Sequence, residues 1–260
     1  MDLTLEGRNA LVCGGSRGIG RAAALALAGL GARITLVARN REVLDAAIAD
    51  FPGGADRHHG VSADLGEPDS IDRVLEAAAA AGPTHVLVNN SGGPPAGPAL
   101  SADAEQFTAA FGQHLLASHA LVRGLVPGMR SEGYGRIINV ISTSVREPIA
   151  GLGVSNTIRG AVASWSKTLS GELGGHGITV NNVLPGFTAT ERLDYFFEVQ
   201  ARKAGRSVED MENAALQRIP AGRFARPEEI GNAVAFLASP AAGYINGVSL
   251  AVDGGLTRSL

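Results

Sequence analysis

The sequence predicts an α/β fold, a doubly wound parallel sheet of about seven strands covered by helices on both faces. Short runs rich in β-branched residues alternate with alanine-rich stretches along the whole chain. Most of the short runs carry apolar residues on both faces, as expected for parallel strands buried on both faces. Strand–helix alternation with right-handed crossovers gives a doubly wound sheet. No linker or repeat divides the 260 residues, so we expect one domain over 1-260.

Each predicted element has a local signal of composition and periodicity. The last predicted helix is the clearest, because Pro227 suits the first turn of a helix and the two glutamates after it favour the N-terminal dipole. Strands are predicted at residues 9–13, 33–38, 58–62, 85–89, 136–141, 179–184 and 249–252. Helices are predicted at residues 19–30, 41–50, 70–81, 104–130, 152–173 and 228–237.

Residues 191–223 depart from this alternation, because they carry no strand signal and are charged and amphipathic. The segment contains Tyr195, Phe196 and Phe197 and follows the sixth predicted strand. In such folds ligands bind at the carboxyl edge of the sheet, where this segment falls. We interpret it as a helical lid over a substrate site. The alternative is an ordinary helical hairpin on the surface.

Composition and charge exclude several function classes. A formal net charge of −3 and no dense run of basic residues argue against a nucleic-acid partner. The longest apolar runs are far too short to cross a bilayer, and the first residues lack the pattern of a signal peptide. The single cysteine, Cys13, excludes an internal disulfide and is compatible with a reducing compartment. We expect a cytoplasmic protein without a membrane partner.

A glycine-rich turn follows the first predicted strand and precedes the first predicted helix. Glycines at such a turn let the backbone bend sharply and approach a pyrophosphate, whose charge meets the helix N-terminus. A glycine pattern alone is a weak signal, but here four further motifs follow it in the chain. In order, the motifs are Gly14-x-x-x-Gly18-x-Gly20, Asn89-Asn90-Ser91-Gly92, Ser142, Pro185-Gly186 and Asp253-Gly254-Gly255.

These motifs, in this order, resemble the short-chain dehydrogenase/reductase family, and the resemblance covers essentially the whole chain. The overall pattern is most similar to its 3-oxoacyl-carrier-protein reductase-like members. The resemblance implies a Rossmann-type fold, a nicotinamide cofactor, a small-molecule carbonyl or alcohol substrate and a homotetramer. The cofactor-binding residues that we expect are Gly14, Ser16, Arg17, Gly18, Ile19, Gly20, Arg39, Asp64, Leu65, Asn90, Ser91, Gly92, Arg159, Pro185, Gly186, Thr188 and Thr190, of which Arg17 and Arg39 are assigned by their charge.

The end of the second predicted strand indicates which cofactor is preferred. An NAD enzyme usually places Asp or Glu there, where the acid bonds the ribose hydroxyls and repels a 2′-phosphate. This chain has Arg39 instead, and Arg17 in the glycine turn is a second cation. Guanidinium groups bind phosphate through bidentate, charge-assisted hydrogen bonds. The sequence therefore predicts NADP(H), with NAD(H) as the alternative if both arginines are only solvated.

The proton chemistry of the family is carried by Ser, Tyr, Lys and Asn residues, and the resemblance assigns each to a position in this chain. The Ser that orients the substrate carbonyl matches Ser142, from its strand context. The Tyr that supplies the proton is thirteen positions further on and falls on Ser155. The Lys that lowers the pKa of this Tyr and holds the ribose falls on Arg159. The Asn that supports a water relay falls on His114.

The substitutions at Ser155 and Arg159 change the chemistry that this site can perform. An aliphatic hydroxyl is too weak an acid to replace a phenol, and an arginine stays protonated. A hydroxyl and a cation nevertheless remain one helical turn apart. We interpret the site as repurposed: Ser142, Ser155 and Arg159 polarise a carbonyl, and a water or His114 delivers the proton.

Two alternatives remain open from the sequence. His114 is equally well explained as a helix histidine that its neighbours satisfy. For the whole chain, the leading interpretation is an NADP(H)-dependent oxidoreductase that interconverts a carbonyl and an alcohol. The alternative is a non-catalytic NADP(H)-binding sensor or structural subunit.

Overall fold

A computed structural model of the chain describes residues 1–259, apart from the side chain of Pro68, and this part contains seven strands. They form one sheet in the order third, second, first, fourth, fifth, sixth, seventh, and all neighbours are parallel. The predicted doubly wound sheet is therefore confirmed. In chain order the strands are β1 (Asn9–Cys13), β2 (Arg33–Ala38), β3 (His59–Ser62), β4 (Thr84–Asn89), β5 (Gly135–Val140), β6 (Ile178–Pro185) and β7 (Ser249–Val252).

The helices lie on both faces of the sheet and in the segment after β6. The described helices are α1 (Gly18–Gly29), α2 (Arg41–Ala49), α3 (Gly54–Arg57), α4 (Pro68–Ala80), α5 (Ala104–Phe111), α6 (Ala117–Ser131), α7 (Gly153–Leu173), α8 (Glu191–Ala204), α9 (Val208–Leu216) and α10 (Pro227–Ala238). Within residues 1–259, no helix is both long enough and apolar enough to cross a membrane.

Alternate residues of the central strands pack into two separate cores. From β1, Ala10 and Val12 join a core with α1, α2 and α10, whereas Leu11 and Cys13 join a core with α4, α6 and α7. Both faces of each central strand are therefore buried, which explains why these strands carry apolar residues on both faces. Burial also raises the pKa of the Cys13 thiol to about 12, so this residue behaves as a small hydrophobe.

The predicted helix at residues 104–130 is wrong in one respect, because it is interrupted. The structure divides it into α5, a π-helical turn at Gly112–Leu116 and α6. A π-helical turn shifts the phase of a helix locally and is frequent at functional sites. Here the turn contains His114, whose side chain is buried. The other predicted elements agree with the structure to within two residues at each end.

Residues 191–223 were predicted to be helical, and they contain the two helices α8 and α9. The three aromatic residues predicted for its apolar surface have different environments. Phe197 is buried and stacks on Phe187, with 5.9 Å between the ring centroids, whereas Tyr195 is 54% exposed. Phe196 is partly buried beside them. A small aromatic cluster therefore anchors α8 to the chain that follows β6.

Helices α1 and α10 approach each other closely at Gly231. A Cβ atom at this position would lie 2.7 Å from the carbonyl oxygen of Ala22 in α1. We expect Gly231→Ala to lower the free energy of unfolding by about 1–3 kcal/mol, because backbone atoms cannot yield without separating the helices. Denaturant titration measures this change.

The matched control is Gly171→Ala in α7, where a Cβ atom would meet no atom within 4 Å. This variant should gain up to about 1 kcal/mol from helix propensity. Equal stability of the two variants would contradict the close approach of α1 and α10.

Candidate active site

The turn after β1 requires glycine because other chain segments approach it closely. Gly14 and Gly18 have left-handed backbones, with φ of 59° and 51°. A Cβ atom at Gly14 would lie 2.6 Å from the carbonyl oxygen of Asn90, and one at Gly20 would collide with the carbonyl oxygen of Gly14. The glycines therefore let the end of β1, the start of α1 and the chain after β4 meet at one point.

Asn90 holds these segments together and leaves a cradle in front of them. Its side-chain amide donates to the carbonyl oxygens of Cys13 and Gly14, each at 3.3 Å. Helix α1 starts beside this turn, and its N-cap residue Arg17 provides no side-chain cap. Uncapped N–H groups at a helix N-terminus attract anions. The cradle therefore fits the pyrophosphate of a dinucleotide.

A cavity of about 660 Å³ opens beside this cradle at the carboxyl edge of the sheet. It joins the residues predicted for the cofactor with those predicted for catalysis. The predicted residues that line it are Gly14, Arg17, Gly18, Ile19, Asn90, Ser91, Gly92, Ser142, Ser155, Arg159, Pro185, Gly186, Thr188 and Thr190.

The remaining predicted site residues do not line this cavity: Ser16, Gly20, Arg39, Asp64, Leu65 and His114. Arg39 follows β2, with its side chain 79% exposed and a nitrogen 4.0 Å from the carboxylate of Asp64, which follows β3. These two residues therefore lie at the carboxyl ends of the neighbouring strands β2 and β3. Leu65 packs against the core on the α4 side of the sheet.

Several cavity residues were missed by the sequence interpretation. Most are apolar and lie in connections after β5 and β6, where no motif marks them. Arg192 could have been found, since it lies two positions after Thr190, at the start of the predicted lid. The missed residues are Gly93, Val140, Ile141, Thr143, Ile149, Leu152, Phe187, Ala189, Glu191, Arg192, Leu193, Pro227 and Leu256, whereas Phe196 had been named in the predicted lid.

Two hydroxyl groups enter the cavity from different elements. Ser142 lies two residues after the end of β5, and its Oγ atom accepts a hydrogen bond from the backbone N–H of Ser144 at 3.0 Å. Ser155 lies in the first turn of α7. The fold thus brings the predicted Ser142 and Ser155 into one cavity.

Arg159 supplies a buried positive charge one helical turn after Ser155. Its Nη1 atom donates to the carbonyl oxygen of Val140 at 2.9 Å. Burial lowers the pKa of Arg159 to about 10, and repulsion from Arg192 adds to this effect. The guanidinium therefore stays charged near neutral pH.

The tyrosines and lysines of the chain, all within the described residues, lie outside this cavity. Tyr134 is buried and donates to a backbone carbonyl oxygen of α10 at 2.6 Å. Tyr195 and Tyr244 are exposed. Lys167 donates to a backbone carbonyl oxygen near β7 at 3.1 Å, and Lys203 is exposed near the end of α8.

His114 lies behind Ser91 and outside the cavity lining. Its Nδ1 atom is 2.7 Å from the Ser91 Oγ atom, and its buried Nε2 atom has no hydrogen-bond partner in residues 1–259. Burial lowers the pKa of His114 to about 3, with further lowering by Arg159 and Arg192. The imidazole is therefore neutral near pH 7. Of the two proton donors that the sequence left open, water or His114, the neutral imidazole is disfavoured, because its pocket penalises the charged form.

The start of α8 closes one side of the cavity with two charged residues. Glu191 accepts hydrogen bonds from Nη1 of Arg17 at 2.8 and 3.0 Å, which connects α8 to the glycine turn. Arg192 donates from Nη2 to the carbonyl oxygen of Pro94 at 2.8 Å. Arg17, the second predicted phosphate ligand, is thus paired with an acid, whereas Arg39 lies 4.0 Å from its acid.

The strand order reverses between β1 and β4, and the glycine cradle and the adjoining cavity lie at the carboxyl ends of these strands. Together these features define a dinucleotide-binding α/β protein. Comparison with known proteins identifies the family. Residues 14–257 match the family model described as Enoyl-(Acyl carrier protein) reductase. The chain is 35% identical over 255 residues to the 3-oxoacyl-[acyl-carrier-protein] reductase FabG of Vibrio cholerae, with 98% of this chain and 99% of the relative covered.

Other relatives extend the similarity to enzymes with different names. The gluconate 5-dehydrogenase of Gluconobacter oxydans is 32% identical over 267 residues, which cover 99% of this chain and 97% of the relative. The L-sorbose reductase of Gluconobacter frateurii, solved with NADPH and L-sorbose, superimposes with a TM-score of 0.93 at 32% identity over 100% of both chains. This chain therefore belongs to the short-chain dehydrogenase/reductase family, a family of oxidoreductases.

Two further buried histidines share the neutral state of His114. The backbone N–H of Ile34 donates to Nδ1 of His58 at 3.0 Å, and that of Asn9 donates to Nδ1 of His85 at 3.1 Å. Burial is the main cause that lowers the pKa of both histidines. The unfolded chain binds protons at these residues below about pH 6.5, before the folded chain does. Stability should therefore fall as the pH falls below about 6.5.

We expect His114→Asn to reduce this loss. Between pH 7 and pH 5, the variant should lose about 1–2 kcal/mol less free energy of unfolding than the unchanged chain, because one buried neutral imidazole is gone. Denaturant titration at both pH values measures the difference. The matched control is His176→Asn at an exposed histidine. A pH dependence that is the same in His114→Asn and in the unchanged chain would contradict the neutral state of His114.

Proposed function

We propose that this chain is an NADP(H)-dependent oxidoreductase that interconverts a carbonyl and an alcohol on a small molecule. The observation that carries the proposal is the single cavity that joins the glycine cradle to Ser142, Ser155 and Arg159. A cofactor held by the cradle and a substrate held by these side chains would share one space. Similar structures include an NADPH-dependent reductase and a reductase complexed with NADPH, which supports the same cofactor here.

The preference for a 2′-phosphate is supported by the surroundings of Arg39. No acid follows β2, where an NAD enzyme usually carries one. Arg39 extends into solvent at this strand end, so its guanidinium is accessible to a phosphate. Arg17 is already paired with Glu191, so Arg39 is the first candidate.

A reduced nicotinamide cofactor, held by the glycine cradle and Arg159, would supply the hydride that the carbonyl carbon accepts. The side chains of the cavity then have to stabilise the negative charge on the oxygen and provide a proton. Ser142 and Ser155 offer hydroxyl donors, and Arg159 offers a fixed positive charge. Neutral His114 has no imidazolium proton to give, so we assign the proton to water that enters the open cavity.

The proposed reaction differs from the usual chemistry of the family, because a serine stands where the family has the tyrosine that supplies the proton. We propose that Ser155 and Arg159 stand at the positions of the family's Tyr and Lys. No phenol lines the cavity within residues 1–259, which supports this assignment. A guanidinium cannot tune the acidity of an aliphatic hydroxyl to near neutrality. The pair therefore binds and polarises the carbonyl, and Arg159 also holds the ribose of the cofactor.

The comparisons lend no support to the alternative of a non-catalytic sensor or structural subunit. The relatives described above are named as enzymes. Polar groups remain at the proposed catalytic positions, whereas binding of a cofactor alone would not need Ser155 in the cavity.

We propose two structural features that accompany this function. The segment at residues 191–223 acts as a substrate lid, because Leu193 and Phe196 of α8 line the cavity. The chain also assembles as a homotetramer. Exposed apolar side chains at Leu116 and at Leu250 support burial against further copies near α6 and β7.

Arg39→Ala tests the choice of cofactor. We expect the affinity for NADPH to fall about tenfold or more, because a charge-assisted contact to the 2′-phosphate is lost. The affinity for NADH should stay within about twofold. Calorimetric titration of both cofactors measures the two affinities. Arg33→Ala, at the opposite end of β2, is the matched control. Unchanged NADPH affinity in Arg39→Ala would contradict the assignment of Arg39 to the 2′-phosphate.

Ser155→Ala tests the catalytic role of the hydroxyl. We expect kcat to fall about 100-fold with little change in NADPH affinity, because the hydroxyl acts where charge develops on the substrate oxygen. Absorbance of the reduced cofactor follows turnover across a panel of carbonyl compounds. Ser164→Ala, at an exposed residue of the same helix, is the matched control. An unchanged rate in Ser155→Ala would remove Ser155 from the mechanism.

The double variant Ser155→Tyr with Arg159→Lys distinguishes an oxidoreductase from a non-catalytic cofactor-binding protein. It restores a phenol and a lysine one helical turn apart, and it should raise reductase activity toward simple carbonyls. If the unchanged chain is inert on the whole panel while the double variant turns over, the non-catalytic function replaces the proposed one.

A further inference from the structure

Two arginine side chains meet in front of Gly93. A Cβ atom at Gly93 would lie 3.1 Å from the Nη2 atom of Arg192 and 3.9 Å from the Nη2 atom of Arg159. The space that a side chain would fill there is therefore bounded by both guanidinium groups. Gly93 follows Ser91 and Gly92 in the cavity lining, so this space belongs to the catalytic part of the cavity.

The protein does not neutralise these two charges. Within residues 1–259, neither Arg159 nor Arg192 forms an ion pair. Each donates one hydrogen bond to a backbone carbonyl oxygen, at 2.9 and 2.8 Å. The only acid in the cavity lining is Glu191, which is paired with Arg17. The space in front of Gly93 is therefore positively charged.

The two arginines contribute differently to this charge. Arg159 is buried, and its position is fixed by the helix that also carries Ser155. Arg192 is exposed in the first turn of α8 and reaches the cavity from the lid side, so an entering ligand can replace its hydration. Repulsion by Arg192 lowers the pKa of both Arg159 and His114. Its field therefore extends through this part of the cavity, where an anion would relieve the repulsion.

We propose that Arg192, with the charge of Arg159 behind it, binds a carboxylate on the substrate. The inference rests on the proposed function and narrows it, because the substrate then becomes an oxo acid or the corresponding hydroxy acid. A planar guanidinium matches a carboxylate through two parallel hydrogen bonds. Ile149, Leu152 and Phe196 line the same cavity and suit the hydrocarbon part of such an acid.

The phosphates of the cofactor offer the same chemistry and are the second source to consider. The glycine cradle and the uncapped start of α1 already provide a place for the pyrophosphate. The arginine pair lies instead beside Gly93, on the catalytic side of Asn90. A carboxylate of the substrate is therefore the occupant that we assign.

The test measures binding directly, with the full chain saturated with NADP⁺. The probes are 3-phenylpropanoate and its neutral amide, titrated by calorimetry, with inorganic phosphate as a third ligand. The proteins are the unchanged chain, Arg192→Gln and the control Arg202→Gln, at an exposed arginine of the same helix. A thermal melt of each protein verifies folding, and NADP⁺ affinity is measured separately for each.

We expect the unchanged chain and Arg202→Gln to bind the carboxylate about tenfold or more tightly than the amide. Arg192→Gln should abolish that difference and leave NADP⁺ affinity and amide binding unchanged. Phosphate should bind less tightly than the carboxylate. The proposal is overturned by equal affinity for carboxylate and amide, by no binding of either, or by phosphate binding more tightly. It is also overturned if Arg192→Gln weakens NADP⁺ binding as much as carboxylate binding, which would assign Arg192 to the cofactor.

A second measurement separates this proposal from the proposed function. Reduction of a series of oxo acids is compared with reduction of their methyl esters. Carboxylate binding that depends on Arg192, without turnover of any carbonyl compound, leaves the subsite intact and refutes the reductase. Turnover of esters with the kcat/KM of the acids leaves the reductase intact and refutes the subsite. Turnover that favours the acids about tenfold or more through KM supports both.

Discussion

The catalytic end of the molecule depends on the close approach between the turn after β1 and the chain after β4. The strand order of the sheet places β1 and β4 side by side. The absence of side chains at Gly14 and Gly20 lets the turn after β1 and the chain after β4 come into contact. The Asn90 amide then fixes the contact through two backbone carbonyl oxygens. Because Ser91 and Gly93 lie within three residues after Asn90, their places in the cavity depend on the same contact. A larger residue at Gly14 would therefore disturb both the cofactor cradle and the catalytic part of the cavity.

The charge states of the buried residues Arg159 and His114 determine which chemistry the catalytic part of the cavity can perform. A low-dielectric site penalises an uncompensated cation, yet Arg159 remains charged because its pKa is still about 10. The same surroundings keep His114 neutral. A positively charged wall stabilises developing negative charge well and supplies protons poorly. The geometry thus favours polarisation of the substrate oxygen by the protein, with proton delivery left to solvent.

The sequence predicted the architecture well because parallel strands and their connecting helices leave local patterns. The bounds of β1, β2 and β7 are those of the structure. The π-helical turn at His114 was missed because an insertion in the helical phase leaves no compositional signal in alanine-rich sequence. The pKa of His114 could not be predicted either, since it depends on burial and on Arg192, which is distant in the chain. Arg192 itself lies outside every motif, because its role depends on where α8 begins.

Substrate selection and charge stabilisation are coupled in such a site. An uncharged substrate would leave two cations without a counterion, so its binding would not relieve the repulsion between Arg159 and Arg192. A carboxylate relieves it and simultaneously weakens the positive field at the reacting oxygen. The hydroxyls of Ser142 and Ser155 then become the main donors to that oxygen, because their hydrogen bonds do not depend on net charge. The serines and the two cations of this cavity therefore have different roles: Arg192 selects the substrate, and the hydroxyls of Ser142 and Ser155, with the charge of Arg159, act on the carbonyl.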